Sequence, residues 1–107
     1  APFANMELIA GKLDLFPHLE SALASEQVSK HKPDPEVYLK SAANMSLTPD
    51  RCLVFEDSFS GVSAAKNAGM KVVAVLSSHQ KSELPPCDWY IEDYSEIRPD
   101  LIHQLIP

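Results

Sequence analysis

A run of four apolar residues, Cys52 to Phe55, ends on two adjacent carboxylates, and this junction constrains the fold more than any other feature. A continuous apolar run of this length is typical of a strand that is covered on both faces, as in a parallel sheet. Placing Glu56 and Asp57 at the end of such a strand is costly unless a cation or a proton compensates their charge. The junction therefore predicts a buried strand that delivers two acidic groups to a site.

The chain around this junction alternates between helical and strand-like periods. Asp34 and Pro35 are typical of a helix N-terminus, and Gly69 is typical of a left-handed helix end. Crossovers this short imply parallel strands with helices on both faces, so the predicted fold class is α/β, a Rossmann-like three-layer fold with a parallel sheet. The predicted elements are helices at 3–13, 35–45, 60–68 and 99–106, strands at 21–25, 52–55 and 72–76, and a weaker strand at 89–91.

The composition excludes two classes of partner. With 45% hydrophobic and 22% charged residues, the chain is typical of a globular protein, and no apolar run approaches the length of a membrane span. The net charge is −6, and the nine Lys and Arg residues form no cluster beyond Lys30 and Lys32, which argues against binding to a phosphate backbone. We therefore expect neither a membrane nor a nucleic acid as partner.

The cysteines and histidines show no metal or redox spacing. Cys52 and Cys87 are far apart in sequence, and a reducing cytoplasm is the expected location. The histidines include no i, i+4 pair, so we expect structural or surface roles for them. The four are His18, His31, His79 and His103.

The paired carboxylates lie where ligands bind in open α/β sheets, beyond the carboxyl end of a strand. Oxygen ligands at such a position suit Mg²⁺, which takes one or two protein carboxylates and keeps other positions for water and substrate phosphate. The predicted helix N-terminus at Ser60 adds partial positive charge, which favours a phosphate as the anion. The alternative is that Asp57, Ser58 or Ser60 simply caps this helix, but capping leaves Glu56 unexplained.

The stretch "SKHKPDPEVYL", residues 29–39, contains a second candidate group. Pro33 biases the backbone of Lys32 toward an extended conformation, so this lysine stands on a restrained stem just before a helix. Lys30 has no comparable restraint, and we expect it to be a solvated surface lysine. A positioned ammonium opposite a carboxylate and metal would neutralise charge on a phosphoryl group during its transfer.

The segment "KPDPEVYLKSAANMSLTPDRCLVFEDSFSGVSAAKNAGM" closely resembles the third and fourth motifs of the haloacid dehalogenase superfamily, in its β-phosphoglucomutase-like and sugar-phosphate phosphatase branch. The match is collinear from Lys32 to Met70, and "KVVAVLS" fits the next strand of that family. The resemblance implies that Lys32 is the catalytic lysine, which contacts the nucleophile and the phosphoryl oxygens. It also implies that Asp57, with Glu56, holds Mg²⁺. Ser58 would be a supporting polar group near the metal.

One part of the family pattern is not found in this sequence. Members carry an aspartate nucleophile in an Asp-x-Asp motif on the first strand, and no Asp-x-Asp occurs here. The stretch "APFANMELIAGKLDL" is similar to the one that follows the second family motif. We therefore expect residues 1–107 to be the C-terminal portion of the core domain, with the first and second core strands and the cap domain outside this chain.

Such a sheet would expose unpaired backbone edges on both sides of the absent strands. We expect the upstream half of the same protein, or a partner chain, to complete it. For the same reason we expect the 107 residues alone to be unstable and inactive.

The function implied by the resemblance is that of a Mg²⁺-dependent phosphohydrolase. It would act on a small phosphorylated metabolite such as a sugar phosphate, through an aspartyl-phosphate whose nucleophile lies outside this chain. A β-phosphoglucomutase-type phosphotransferase is an alternative in the same class, whereas dehalogenation would leave the carboxylate pair without a purpose.

A non-catalytic phosphate-binding regulatory module, similar to a receiver domain, is an alternative of another class. In receiver domains the lysine follows the acids, whereas Lys32 precedes them here. Dinucleotide binding is not expected, because the sequence lacks the glycine-rich turn that such proteins use to bind the pyrophosphate.

Overall fold

The computed structural model of the chain describes residues 8–13, 16–21 and 28–106. Short 3₁₀ turns connect several of the regular elements in these ranges. The strands are β1 (Leu8–Leu13), β2 (Phe16–Ser21), β3 (Cys52–Glu56), β4 (Lys71–Val75) and β5 (Trp89–Ile91), and the helices are α1 (Glu36–Asn44), α2 (Phe59–Asn67) and α3 (Pro99–Leu105).

The strands form one sheet in the order β2-β1-β3-β4-β5. The last three are parallel, with Val54 beside Val72 and Ala74 beside Tyr90. The first two form an antiparallel hairpin, and β1 also pairs antiparallel with β3. The predicted parallel sheet is therefore confirmed for β3, β4 and β5, while the hairpin makes the whole sheet mixed.

Helices cover both faces of the parallel strands, which confirms the three-layer α/β architecture. On what we call the first face, Cys52 and Val54 of β3 pack against buried side chains of α1 and α2. On the second face, Leu53 and Phe55 pack against α3. The alternation follows from the period of two in a strand, and it explains why every residue of β3 is buried. None of the helices within the described ranges is long and apolar enough to cross a membrane.

The ends of α2 are determined by local chemistry. The Ser58 hydroxyl accepts a hydrogen bond from the Gly61 N–H at the start of the helix. At the other end, Gly69 has φ of +80°, and the N–H of Met70 donates to the Ala65 carbonyl. This is the Schellman arrangement, which glycine adopts without steric cost. The predicted left-handed helix end at Gly69 is confirmed.

The predictions for residues 28–106 are confirmed to within about two residues at each boundary, the usual uncertainty of helix ends. The prediction of a helix at 3–13 is wrong for Leu8–Leu13, which form β1. Its first residues, 3–7, lie outside the described residues, as does 22–25 of the predicted strand at 21–25. Ser21 is instead the last residue of β2.

The error at β1 has a tertiary cause. Met6, Ile9 and Leu13 have the spacing that predicts a helix there, whereas Gly11 disfavours a helix interior. Strand β1 pairs with β3 from Leu8 opposite Phe55 to Gly11 opposite Cys52, and so satisfies the backbone of both strands. The expected unpaired edge of β3 is therefore not observed, because the hairpin occupies it.

Candidate functional site

Strand β3 directs its last side chain beneath the helices of the first face. Cys52, Val54 and Glu56 share this face by alternation, and Glu56 is fully buried although it carries a carboxylate. The next residue, Asp57, follows the strand and is half-buried. The two adjacent carboxylates therefore enter different environments.

Five donors surround the carboxylate of Glu56. Its Oε2 accepts from the Lys32 ammonium at 3.1 Å and from the Tyr38 hydroxyl. Its Oε1 accepts from the Ser58 hydroxyl at 3.0 Å and from the backbone N–H groups of Asp57 and Ser58 at 3.2 and 3.4 Å. A buried charge is tolerated when it is both paired and hydrogen-bonded, and Glu56 is both. We call Lys32, Tyr38, Glu56 and Ser58 the Glu56 network.

The side chain of Lys32 is held from two directions. Besides its ion pair with Glu56, its Nζ lies 5.2 Å from the centre of the Tyr38 ring, within the range of a cation–π interaction. The side chain is 17% exposed, so most of its surface is removed from solvent. The following Pro33, joined to it by a cis peptide bond, accepts a hydrogen bond from the Asn67 amide of α2 at 3.1 Å. These contacts give the ammonium one defined position.

The segment that precedes Lys32 is attached to α1 by Glu36. The Glu36 carboxylate accepts from the Ser29 hydroxyl and N–H, both at 2.6 Å, and from the Lys30 N–H at 3.2 Å. The hydrogen bond from the Ser29 side chain is the main cause that lowers the pKa of Glu36 from 4.5 to about 2. Lys30 itself is exposed, in contrast to Lys32.

Gly61 on α2 leaves space for the buried carboxylate. A Cβ atom at this position would overlap the side chain of Glu56. Gly61 lies in the first turn of α2 and has helical backbone angles that any residue can adopt. The glycine is therefore required by the close approach of Glu56 and not by its backbone conformation.

Asp57 is held from the loop after β4. Its Oδ2 accepts from the Ser77 hydroxyl at 3.3 Å, and its backbone carbonyl lies 3.0 Å from Nδ1 of His79. Since a carbonyl can only accept, Nδ1 of His79 carries a proton. Within the described ranges, no group of three or more His, Cys, Asp or Glu side chains could hold a metal ion. Further ligands for an ion at Asp57 would therefore come from water, substrate or other segments.

The structure brings Lys32, Glu56 and Ser58 together, while the Asp57 carboxylate contacts the loop after β4. The functional roles of these four residues stay predictions. Sequence reasoning missed Tyr38, which it placed only within the predicted helix at 35–45. A buried tyrosine normally has a partner for its hydroxyl, and this signal could have drawn attention to it.

Sequence reasoning also missed the contacts of Ser77 and His79 with Asp57. Both residues follow β4 and come 20 and 22 positions after Asp57 in sequence. Only the parallel pairing of β3 and β4 places their loop beside this residue.

The two cysteines are free thiols without the character of a nucleophile. Burial raises the pKa of Cys52 to about 11, and burial also raises the pKa of Cys87. Both therefore stay protonated near neutral pH.

Comparisons with known proteins identify the family of this chain. Residues 4–75 match the model of the haloacid dehalogenase-like hydrolase family. The chain is 36% identical over 80% of its length to protein CbbY of Rhodobacter capsulatus, and 38% identical over 67% of its length to fructose-1-phosphate phosphatase YqaB of Escherichia coli. It spans 38% of the length of each of these relatives.

A solved structure shows the same fold. The crystal structure of a HAD hydrolase (family IA, variant 3) from Entamoeba histolytica superposes on 77% of this chain and 38% of its own, with a TM-score of 0.69 and 29% identity. The segment that matches the family model includes the whole Glu56 network. The chain thus belongs to the haloacid dehalogenase-like hydrolase family.

Proposed function

We propose that this chain is the C-terminal portion of the core domain of a Mg²⁺-dependent phosphohydrolase that acts on a small phosphorylated metabolite, most simply a sugar phosphate. The observation that carries the proposal is the Lys32 ammonium, held 3.1 Å from a buried carboxylate at the carboxyl end of β3, next to the half-buried Asp57. One relative is named a fructose-1-phosphate phosphatase, which supports the substrate class.

Lys32 is suited to stabilise charge on a phosphoryl group. Its side chain is 17% exposed, so its charge is less screened than that of a fully exposed surface lysine. Its position is set before substrate arrives, by Glu56 and by the Tyr38 ring. Preorganised positive charge is the main contribution of a protein to phosphoryl transfer. In our proposal, Lys32 contacts the phosphoryl oxygens directly.

Asp57 fits the chemistry of a Mg²⁺ ligand. It offers hard oxygen atoms, it is partly accessible, and its backbone and one carboxylate oxygen are oriented by the loop after β4. Mg²⁺ held there would neutralise and orient the substrate phosphate. The two oxygens of Glu56 are already engaged by five donors, so a contact of Glu56 with the metal would have to replace one of them. We therefore propose Asp57 as the direct ligand and Glu56 as the group that orients Lys32.

We propose that the nucleophile of the reaction lies outside these residues. The sequence contains no Asp-x-Asp motif, and the chain spans 38% of the length of its relatives. An upstream segment of the same protein, or a partner chain, would supply an aspartate that forms the aspartyl-phosphate. That covalent step divides the displacement into two easier ones.

The substitution Asp57→Asn in the complete protein tests the metal assignment. We expect turnover of fructose 1-phosphate to fall by orders of magnitude and Mg²⁺ binding, measured by calorimetry, to weaken, because the change keeps shape and removes charge. Thermal stability should be preserved, since the Ser58 side chain caps α2. Asp100→Asn, at an exposed carboxylate, is the matched control. Near-normal turnover at ordinary Mg²⁺ concentrations would contradict the assignment.

A second experiment tests where the nucleophile lies. The 107-residue chain of 11.8 kDa, checked by intact mass, should not hydrolyse p-nitrophenyl phosphate or fructose 1-phosphate. Hydrolysis by a monomer of this mass would show that the nucleophile lies within these residues.

A further inference from the structure

We infer that Tyr38 is a positioning residue for catalysis. It holds the Glu56 carboxylate and the Lys32 ammonium in fixed positions relative to each other and does not contact the substrate. The inference rests on the proposed function of Lys32. It concerns a residue that the family motif does not explain.

Two contacts connect Tyr38 to the ammonium. Its hydroxyl donates to Oε2 of Glu56, the same oxygen that accepts from Lys32. Its ring lies beside Lys32, with the Nζ atom 5.2 Å from the ring centre. Tyr38 therefore contacts both members of the ion pair, one through its polar end and one through its apolar surface.

Packing alone does not explain the hydroxyl. Tyr38 is fully buried in the apolar cluster of the first face, where the ring of phenylalanine would fill almost the same space. Burying a hydroxyl costs free energy unless it has a partner, and this one donates to a charged acceptor. Such bonds are directional, so this one fixes the orientation of the Glu56 carboxylate. The carboxylate in turn determines where the Lys32 ammonium lies.

The substitution Tyr38→Phe isolates this function, because it removes the hydroxyl and keeps the ring. In the complete protein with p-nitrophenyl phosphate, we expect kcat to fall about tenfold while KM changes by less than about twofold, since the loss affects the transition state more than the ground state. The matched control is Tyr94→Phe, which removes a phenolic hydroxyl from the second face. The control should leave kcat unchanged even where it lowers thermal stability.

A double-mutant cycle tests whether Tyr38 acts through Lys32. In a Lys32→Met background, adding Tyr38→Phe should cause no further fall in kcat, because the group that it positions is absent. An additive fall would overturn the inference, as would a Tyr38→Phe protein with the kcat of the wild type. If Lys32→Met alone keeps full activity, the proposed function fails instead, so the two failures are distinguishable. Thermal melting of each variant confirms that folded protein is compared.

Discussion

The two faces of the sheet differ in the side chains that surround strand β3. On the first face, β3 ends with Glu56 buried among polar and charged partners. On the second face, Leu53 and Phe55 pack in a mainly apolar cluster closed by α3. Helix α2 brings small residues to the first face, Gly61, Ala64 and Ala65, beside the large Tyr38 of α1. The residues that close the second face, Ile102, Ile106 and Tyr94, are all large.

This difference suggests that the first face carries the candidate catalytic groups, while the second face contributes mainly to the stability of the fold. Small residues on α2 let the helix approach the strand end closely enough to enclose a carboxylate, as the overlap at Gly61 shows. Large residues on the second face remove more apolar surface from water per residue, and such burial is the main favourable term in folding. Changes on the first face should therefore alter turnover, and changes on the second face should alter mainly the free energy of unfolding.

The largest effect should come from Lys32 on the first face. Lys32→Ala in the complete protein should lower kcat by about 10²-fold or more, as loss of one preorganised charge-stabilising group does. Lys32→Arg should fail as well, because a planar guanidinium does not replace a compact ammonium. Phosphate release from fructose 1-phosphate measures both variants.

Lys30→Ala is the matched control for that experiment. Lys30 is exposed, and the contact described for it is made by its backbone N–H, which the substitution keeps. Its kcat should equal that of the wild type. Equal losses from both lysines would indicate a diffuse basic patch and would contradict the assignment of one positioned ammonium.

The second largest effect should come from a substitution on the second face, and it should change the free energy of unfolding without changing turnover. Ile102 on α3 is 1% exposed, and Ile102→Ala should lower the free energy of unfolding by about 2–5 kcal/mol through lost burial and a cavity. Turnover per folded molecule should stay unchanged, because Ile102 packs in the apolar cluster of the second face, whereas Glu56 lies on the first. Urea denaturation gives the first value, and Gln104→Ala at an exposed position of α3 is the control. A selective loss of kcat in Ile102→Ala would show that the faces are coupled.

Gly61→Ala should lower both the free energy of unfolding and kcat. An alanine in a helix normally stabilises it by about 0.5–1 kcal/mol relative to glycine. Here the added Cβ would overlap Glu56, so we expect a loss of about 1–3 kcal/mol, typical of overpacking, together with a lower kcat. Differential scanning calorimetry and steady-state kinetics measure the two effects. Ser60→Ala, at the exposed neighbouring position, should change neither, and a stabilised Gly61→Ala protein would contradict the tight packing.

The smallest effect should be the contribution of the surface carboxylate of Glu36 to the pH dependence of stability. The pKa of Glu36 is about 2 in the folded chain, mainly because of the Ser29 hydroxyl, and 4.5 without these contacts. Its contribution to stability is therefore fully present above pH 4.5 and is lost as the pH falls toward 2. The stability difference between the wild type and Glu36→Gln, measured by thermal melting, should shrink across this range. Ser29→Ala should reduce the same pH dependence, and a constant difference would contradict the contribution of Glu36.

Local patterns were sufficient to predict much of the site. The apolar run from Cys52 to Phe55 predicted a buried strand, and the acids at its end predicted polar groups at the sheet edge. In the structure Lys32 is mostly buried and paired with Glu56, whereas Lys30 is exposed. The pairing of Lys32 with Glu56 across 24 residues was not predictable from spacing, because it depends on how α1 and β3 pack.

The adjacent carboxylates show the limit of sequence reasoning most clearly. As neighbours in sequence, Glu56 and Asp57 were read as one metal-binding pair. In the structure Glu56 continues the alternation of the first face, while Asp57 leaves the strand and contacts the loop after β4. Adjacent residues in an extended chain point to opposite sides, so proximity in sequence does not imply a shared environment.

The sequence by itself determined the elements whose signals are local and strong: the strands β3 and β4, the helices α1 and α2, and the left-handed end at Gly69. It also carried the motifs that identify the family. Only the tertiary structure decided the state of Leu8–Leu13, because a local helical pattern yields to strand pairing when a neighbouring edge offers hydrogen bonds. Tertiary packing likewise decided the partners of Glu56, since a buried charge takes whichever donors the surrounding helices bring within reach.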